Sequence, residues 1–255
     1  MNNGHSRHGS RLHATLAAGV LAVGLCLAAT TASATVVLSG SVGGVPAGAD
    51  NYENFDTLPL GETGGVTPTG ITVAFVTDAG AVQGAVNGKY AAPFLSNGNG
   101  TLFGDPSDGA DTTTYLTSGS DGSNPNAHVS LAFAAPQKYF GLLWGSVDDY
   151  NTLDFFSAGV KVASFTGDDV SNSAGLGNCT SGDQGKLGTC YVNINFLTGS
   201  FDEVRAHSSM YAFEFDNVAF SVNPTGVPEP GTAGIFLLGL LLVGSSYWLK
   251  GRRLS

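Results

Sequence analysis

The sequence predicts an all-β protein: one domain of β-sandwich or jelly-roll type over residues 35–226, flanked by an N-terminal signal peptide (1–34) and a C-terminal tail with one transmembrane helix (227–255). Three observations predict this. Glycine makes up 28 of the 192 residues between the two apolar ends, about twice the usual share of about 7%. No stretch of that region carries a 3.6-residue apolar period. Short runs of β-formers recur between clusters of turn residues. An all-β barrel is the alternative architecture.

The N-terminus has the three parts of a secretory signal. Arg7 and Arg11 give a positive start, Ala14 to Ala29 is uncharged and rich in Leu, Ala and Val, and Ala32-Ser33-Ala34 supplies the small residues of a signal peptidase site. Cleavage is expected before Thr35. Cys26 does not make a lipoprotein signal, because bulky Leu25 precedes it where a small residue is needed.

The C-terminus carries a second membrane signal. No residue from Gly231 to Leu249 is charged, and about 20 apolar residues suffice for a helix to cross the hydrocarbon core. Tyr247 and Trp248 fall where amphipathic rings favour the headgroup layer, and Lys250, Arg252 and Arg253 follow. Basic residues beside a span stay in the cytoplasm, which places the preceding domain on the outer side. Just before the span, Pro228-Glu229-Pro230 can neither continue a helix nor pair in a sheet, so it is expected to be extended and accessible.

These three parts in this order resemble the PEP-CTERM signal of exosortase-dependent surface proteins. The resemblance implies that Pro228, Glu229 and Pro230 are the recognition residues. Exosortase would then cut nearby and pass the protein to the outer surface or the extracellular matrix. Phe140-Gly141-Leu142-Leu143-Trp144-Gly145-Ser146-Val147-Asp148-Asp149-Tyr150-Asn151-Thr152-Leu153, the opening Asn54-Phe55-Asp56-Thr57-Leu58-Pro59 and the closing Phe215-Asp216-Asn217-Val218 resemble one family of such proteins. That family is defined by its pattern and tail, not by an activity.

Within the domain, β-former runs predict strands at Ile71 to Thr77, His128 to Phe133, Tyr139 to Trp144, Thr152 to Phe156, Lys161 to Phe165, Tyr191 to Phe196, and Ala212 to Val222. Val129, Leu131 and Phe133 alternate with smaller residues, as in a half-buried strand. In the last run Phe213 and Phe215 share one phase and Val218, Phe220 and Val222 the other. A slip of one residue predicts a β-bulge near Asp216-Asn217, or burial of both faces. Ser96 to Asn126 and Gly167 to Gly188 read as long loops.

Cys179 and Cys190 are the only cysteines after the signal peptide. An even count in an exported chain predicts a disulfide. The domain holds five Lys and Arg against 19 Asp and Glu. Such a surface repels nucleic acid and suits solubility or cation binding outside the cell.

The chemistry-bearing residues are few. Asp148, Asp149 and Asp154, with Asn151 among them, and Asp168 with Asp169 form acidic clusters, and Asp56 and Asp216 stand near the first and last strands. Either set is a candidate for a structural calcium ion, although the spacing is not that of an EF-hand; otherwise these acids cap turns. No cofactor is expected apart from that ion. Trp144, in the apolar run Leu142-Leu143-Trp144, reads as core, whereas Tyr150 in a polar turn is the better candidate for a ligand contact. His128 and His207 are the domain's two histidines, and no nucleophile elbow, zinc-protease helix or phosphate-cradling loop accompanies them. The expectation is a non-catalytic, exported surface or matrix protein associated with extracellular polysaccharide. Its processing partners would be signal peptidase and exosortase, and it would bind no nucleic acid. A calcium-assisted carbohydrate-binding module is the alternative, and a glycoside hydrolase with an unrecognised acid pair the third reading.

Overall fold

The structure is a computed structural model and describes residues 34–119, 126–172, 176–177 and 179–226. The signal peptide up to Ser33, the Pro228-Glu229-Pro230 motif, the apolar tail and the Lys250, Arg252 and Arg253 cluster lie outside the described residues. Among the described residues, no helix is long and apolar enough to cross a membrane.

This region is all-β, with two main sheets in a sandwich-like arrangement. One eight-stranded sheet runs Leu176–Gly177, Val36–Ser41, Cys190–Phe196, Tyr139–Gly145, Phe213–Ser221, Tyr115–Ser118, Ala79–Val82. Its eighth strand, Asn51–Glu53, pairs with Val218 to Phe220. The second, six-stranded sheet runs Val160–Thr166, Asn151–Ser157, Phe201–Ser208, His128–Gln137, Thr72–Val76, Gly65–Val66. Pairing is antiparallel throughout, except between Val36–Ser41 and Leu176–Gly177. All seven strands expected from the sequence are present, with ends that differ by a few residues.

The two sheets share one apolar core. Val129, Leu131 and Phe133 point inward as their alternation predicts, beside Leu153, Phe155, Val204 and Ala206 of the same sheet. Phe140 of the first sheet meets Phe155 and Phe201 of the second edge-on, at 5.7 and 6.2 Å between ring centroids. Trp144 is fully buried and stacks on Phe213 at 4.4 Å, so it belongs to the core.

The strand Phe213–Ser221 shows both features that its apolar phase slip predicts. Gly141 pairs with Ala219 but Leu143 pairs with Asp216, so the strand carries one extra residue there. Asn217 takes φ = 51° to make this bulge, a left-handed conformation that Asn tolerates better than most residues. Every residue of the strand is also buried. Its inner face meets the core, and part of its outer face lies under the segment from Gln83 to Thr114. Leu95 and Phe103 of that segment pack on Leu143 and Tyr191 of the sheet. The part from Ser96 onward, expected to be loop, includes the short strands Gly109–Ala110 and Tyr115–Ser118.

The other expected loop also contains structure. Gly167–Asn172 is a short helix. The Thr166 N–H donates to Asp169 Oδ2 at 2.8 Å, and the Asp169 N–H donates back to Thr166 Oγ1 at 3.3 Å. This reciprocal cap overrides the loop composition. Cys179 and Cys190 form a disulfide, with Cα atoms 6.0 Å apart, and it ties the loop that follows the helix to the strand Cys190–Phe196.

Candidate functional site

A cleft of about 480 Å³ opens where four segments meet: the loop from Ala85 to Ala91, the turn after Tyr139–Gly145, Gln184 from the disulfide-closed loop, and Tyr211 to Glu214. Its size lies in the usual small-ligand range of about 300–1,000 Å³. Tyr90, Tyr150 and Tyr211 give it half-buried rings, and Asp148 and Glu214 give it carboxyl groups.

Hydrogen bonds hold Tyr150, Asp148 and Glu214 in place. Tyr150 donates its hydroxyl to Asp148 Oδ2 at 2.9 Å and to the Tyr211 carbonyl at 3.2 Å. Asn151 donates to the carbonyls of Ser146 and Ala212 at 3.0 and 3.1 Å, which locks the turn to the start of the Phe213–Ser221 strand. The Ala91 N–H donates to Glu214 Oε1 at 2.8 Å, while the buried Oε2 has no partner. Burial lifts the Glu214 carboxyl to about 8, with the Asp148 charge adding to the rise. Burial likewise lifts Asp148 above the usual carboxylate range, against the Tyr150 hydrogen bond that lowers it. Burial thus favours the protonated, neutral form of Glu214 at neutral pH.

The sequence named Tyr150 and Asp148 as candidates, and both line this cleft. Tyr90 and Tyr211 were missed, because two isolated tyrosines far apart in the chain carry no pattern.

The first acidic set does not converge on one point. Asp154 lies in the second sheet, where it accepts from Ser164 Oγ at 2.6 Å and pairs with Lys161 at 3.2 Å and His207 at 3.3 Å. Asp169 caps the short helix. The second set converges in part. Asp216 meets Asp105 and Asp111 of the covering segment, whereas Asp56 lies exposed and accepts from the Thr114 N–H at 2.9 Å and from Asn54 Nδ2 at 2.9 Å. Asp105 and Asp111 sit in the segment expected to be loop, where acids are ordinary turn formers.

His128 and His207 are cross-strand partners on the second sheet. Burial pulls the His207 imidazole below its ordinary range, and the Asp154 charge only partly counters this. The fold thus favours neutral His207. Its contribution to stability is complete above the ordinary histidine range near 6.5 and is lost as pH falls through the lowered value in the fold. His207→Gln should remove this loss: the stability difference between wild type and variant, from urea unfolding at stepped pH, should shift in favour of the variant below about pH 6.5.

No family model matches the chain, and no curated protein or solved structure shows significant similarity to it.

Proposed function

We propose that this chain is an exported surface or matrix protein whose jelly-roll sandwich holds an extracellular polysaccharide in the tyrosine-lined cleft. The observation that carries this reading is the convergence of Tyr90, Tyr150 and Tyr211 with the polar side chains of Asp148 and Gln184 around one cleft. The C–H faces of a sugar ring pack against aromatic faces, and its hydroxyls need donors and acceptors such as Gln184 and Asp148. Among the described residues, Lys89 is the one cation in the lining, on an acidic domain, so the chemistry favours a neutral glycan over a polyanionic one. Export rests on the two terminal signals. By their resemblance, Pro228-Glu229-Pro230 is the exosortase motif and the tail is a temporary anchor.

A glycan array probed with the full chain in mild detergent tests the reading. Neutral glycans should bind, and Tyr150→Ala should weaken binding about 10-fold or more, as loss of an aromatic anchor does. An array without signal above background would end the proposal. For sorting, changing Pro228-Glu229-Pro230 to alanines should leave a longer, membrane-retained form; unchanged size and location would remove that part.

A second reading has its own observation, since Asp148 and Glu214 line one cleft and Glu214 is held protonated. Glycoside hydrolysis uses two carboxyl groups, one as acid and one ionised, flanking the scissile bond. Release of reducing ends from the bound glycan, abolished by Glu214→Gln, would favour hydrolysis over holding.

A further inference from the structure

We infer that Asp105, Asp111, Asp216 and Asn217 form a binding site for a hard divalent cation of the calcium type, separate from the glycan cleft. One carboxylate oxygen from each aspartate lies within 4.8 Å of the others. Opposed oxygens around calcium, each about 2.3–2.6 Å from the ion, are about 4.6–5.2 Å apart. All three aspartates are buried, at 6%, 2% and 0% exposure. Among the described residues, no Lys, Arg or His forms an ion pair with any of them.

The orientation of the oxygens is more specific than their proximity. Asp111 Oδ1 accepts from the Thr113 N–H at 2.8 Å and from Thr113 Oγ1 at 2.6 Å, while Oδ2 is buried without a partner. Asp105 is held more loosely in the same sense: its Oδ1 lies 3.3 Å from Asn54 Nδ2 and 3.4 Å from Thr113 Oγ1, and Oδ2 has no partner. Both Asp216 oxygens are buried without hydrogen bonds. Thus two aspartates are each fixed through one oxygen by neighbouring donors, and each keeps the other oxygen free. Outer hydrogen bonds orient metal ligands in the same manner.

An independent observation comes from a residue that carries no charge. Asn217 is fully buried, and neither of its amide atoms has a partner. Its side chain lies against Asp105, and Asp111 lies against Asp216, without either pair meeting hydrogen-bond geometry. In a regular strand, Asp216 and Asn217 would point to opposite faces. The bulge turns both toward the covering segment, so it serves to deliver two adjacent side chains to one site. An orphaned buried amide beside three carboxylates costs stability unless something satisfies it. A cation would satisfy the three carboxylates and Asn217 Oδ1. The donor set contains no sulfur or imidazole, which excludes the preferences of zinc and copper.

The test uses the full chain in non-ionic detergent, stripped with EDTA and titrated calorimetrically with calcium chloride, then with magnesium chloride. One calcium per chain should bind, more tightly than magnesium, and calcium should raise the thermal midpoint. Asp111→Asn and Asp216→Asn should abolish binding with the circular-dichroism spectrum retained. Asn54→Ala leaves every ligand in place and should weaken affinity about 10- to 100-fold, as loss of an orienting partner does; it also decides the matter if the aspartate variants do not fold. Asp154→Asn, on the other sheet, should bind as wild type does. Absence of calcium binding by the wild-type chain would overturn the inference, as would binding that Asn54→Ala and the aspartate variants leave unchanged.

Discussion

Trp144→Ala should lower the stability of the domain by about 3–5 kcal/mol, the usual cost of emptying a large aromatic site in a core. Trp144 is fully buried in the strand Tyr139–Gly145, between Cys190 and Phe215 on the neighbouring strands, with its ring stacked on Phe213. Packed neighbours on both sides prevent collapse into the space it leaves. Small domains have only about 5–15 kcal/mol in total, so the loss should appear as a fall of roughly 6–20 °C in thermal midpoint by far-ultraviolet circular dichroism. The indole Nε1 has no acceptor. Trp144→Phe therefore keeps most of the apolar contact while removing an unsatisfied donor, and should cost far less. Equal losses for the two variants would show that the aromatic contact is not what matters at this position.

The second large effect concerns the disulfide. Cys179 and Cys190 are 11 residues apart, and the chain-entropy model gives about 2–3 kcal/mol for closing a loop of that size. The Cys179→Ala/Cys190→Ala double variant should lose about that much in urea unfolding, and the wild type should lose a similar amount under a reductant. The loop also carries Gln184 into the cleft, so if the cleft holds a glycan as proposed, the double variant should bind it more weakly as well. Wild-type stability in the double variant would contradict the structural role given to this bond.

How much of this was legible in the sequence depended on whether a strand's apolar phase stayed regular. Val129, Leu131 and Phe133 keep a strict alternation, and the strand is plain. Phe201–Ser208 is just as central to the second sheet, but the sequence outlines only its end around Arg205 and His207. Its inward residues are Phe201, Val204 and Ala206, because the register shifts between Phe201 and Glu203. One irregular step erased the period. Ala79–Val82 and Tyr115–Ser118 were missed for a different reason. They are short and built largely from Ala, Gly, Thr and Ser, so their sheet comes from pairing with neighbours and not from propensity.

The sites divide in the same manner. The phase slip at Asp216-Asn217 marked the bulge, and Tyr150 in a polar turn marked the cleft, because each departs from a local rule. Asp105 and Asp111 obey the local rule for turns and so carried no signal. Only the return of the covering segment across the outer face of the first sheet brings them to Asp216. That juxtaposition is a property of topology, which short-range spacing does not encode.

The most direct measurement of the central claim is fractionation of the producing cells, with wild type compared with a Tyr150→Ala/Tyr211→Ala variant. A protein exported and held by polysaccharide through this cleft should separate with the extracellular polysaccharide when wild type. The variant, folded and exported but lacking two of the three rings, should be found in the culture medium. Recovery of both proteins in the polysaccharide fraction in the same proportion would contradict the role of the cleft, and recovery of both in the cytoplasm would contradict export itself.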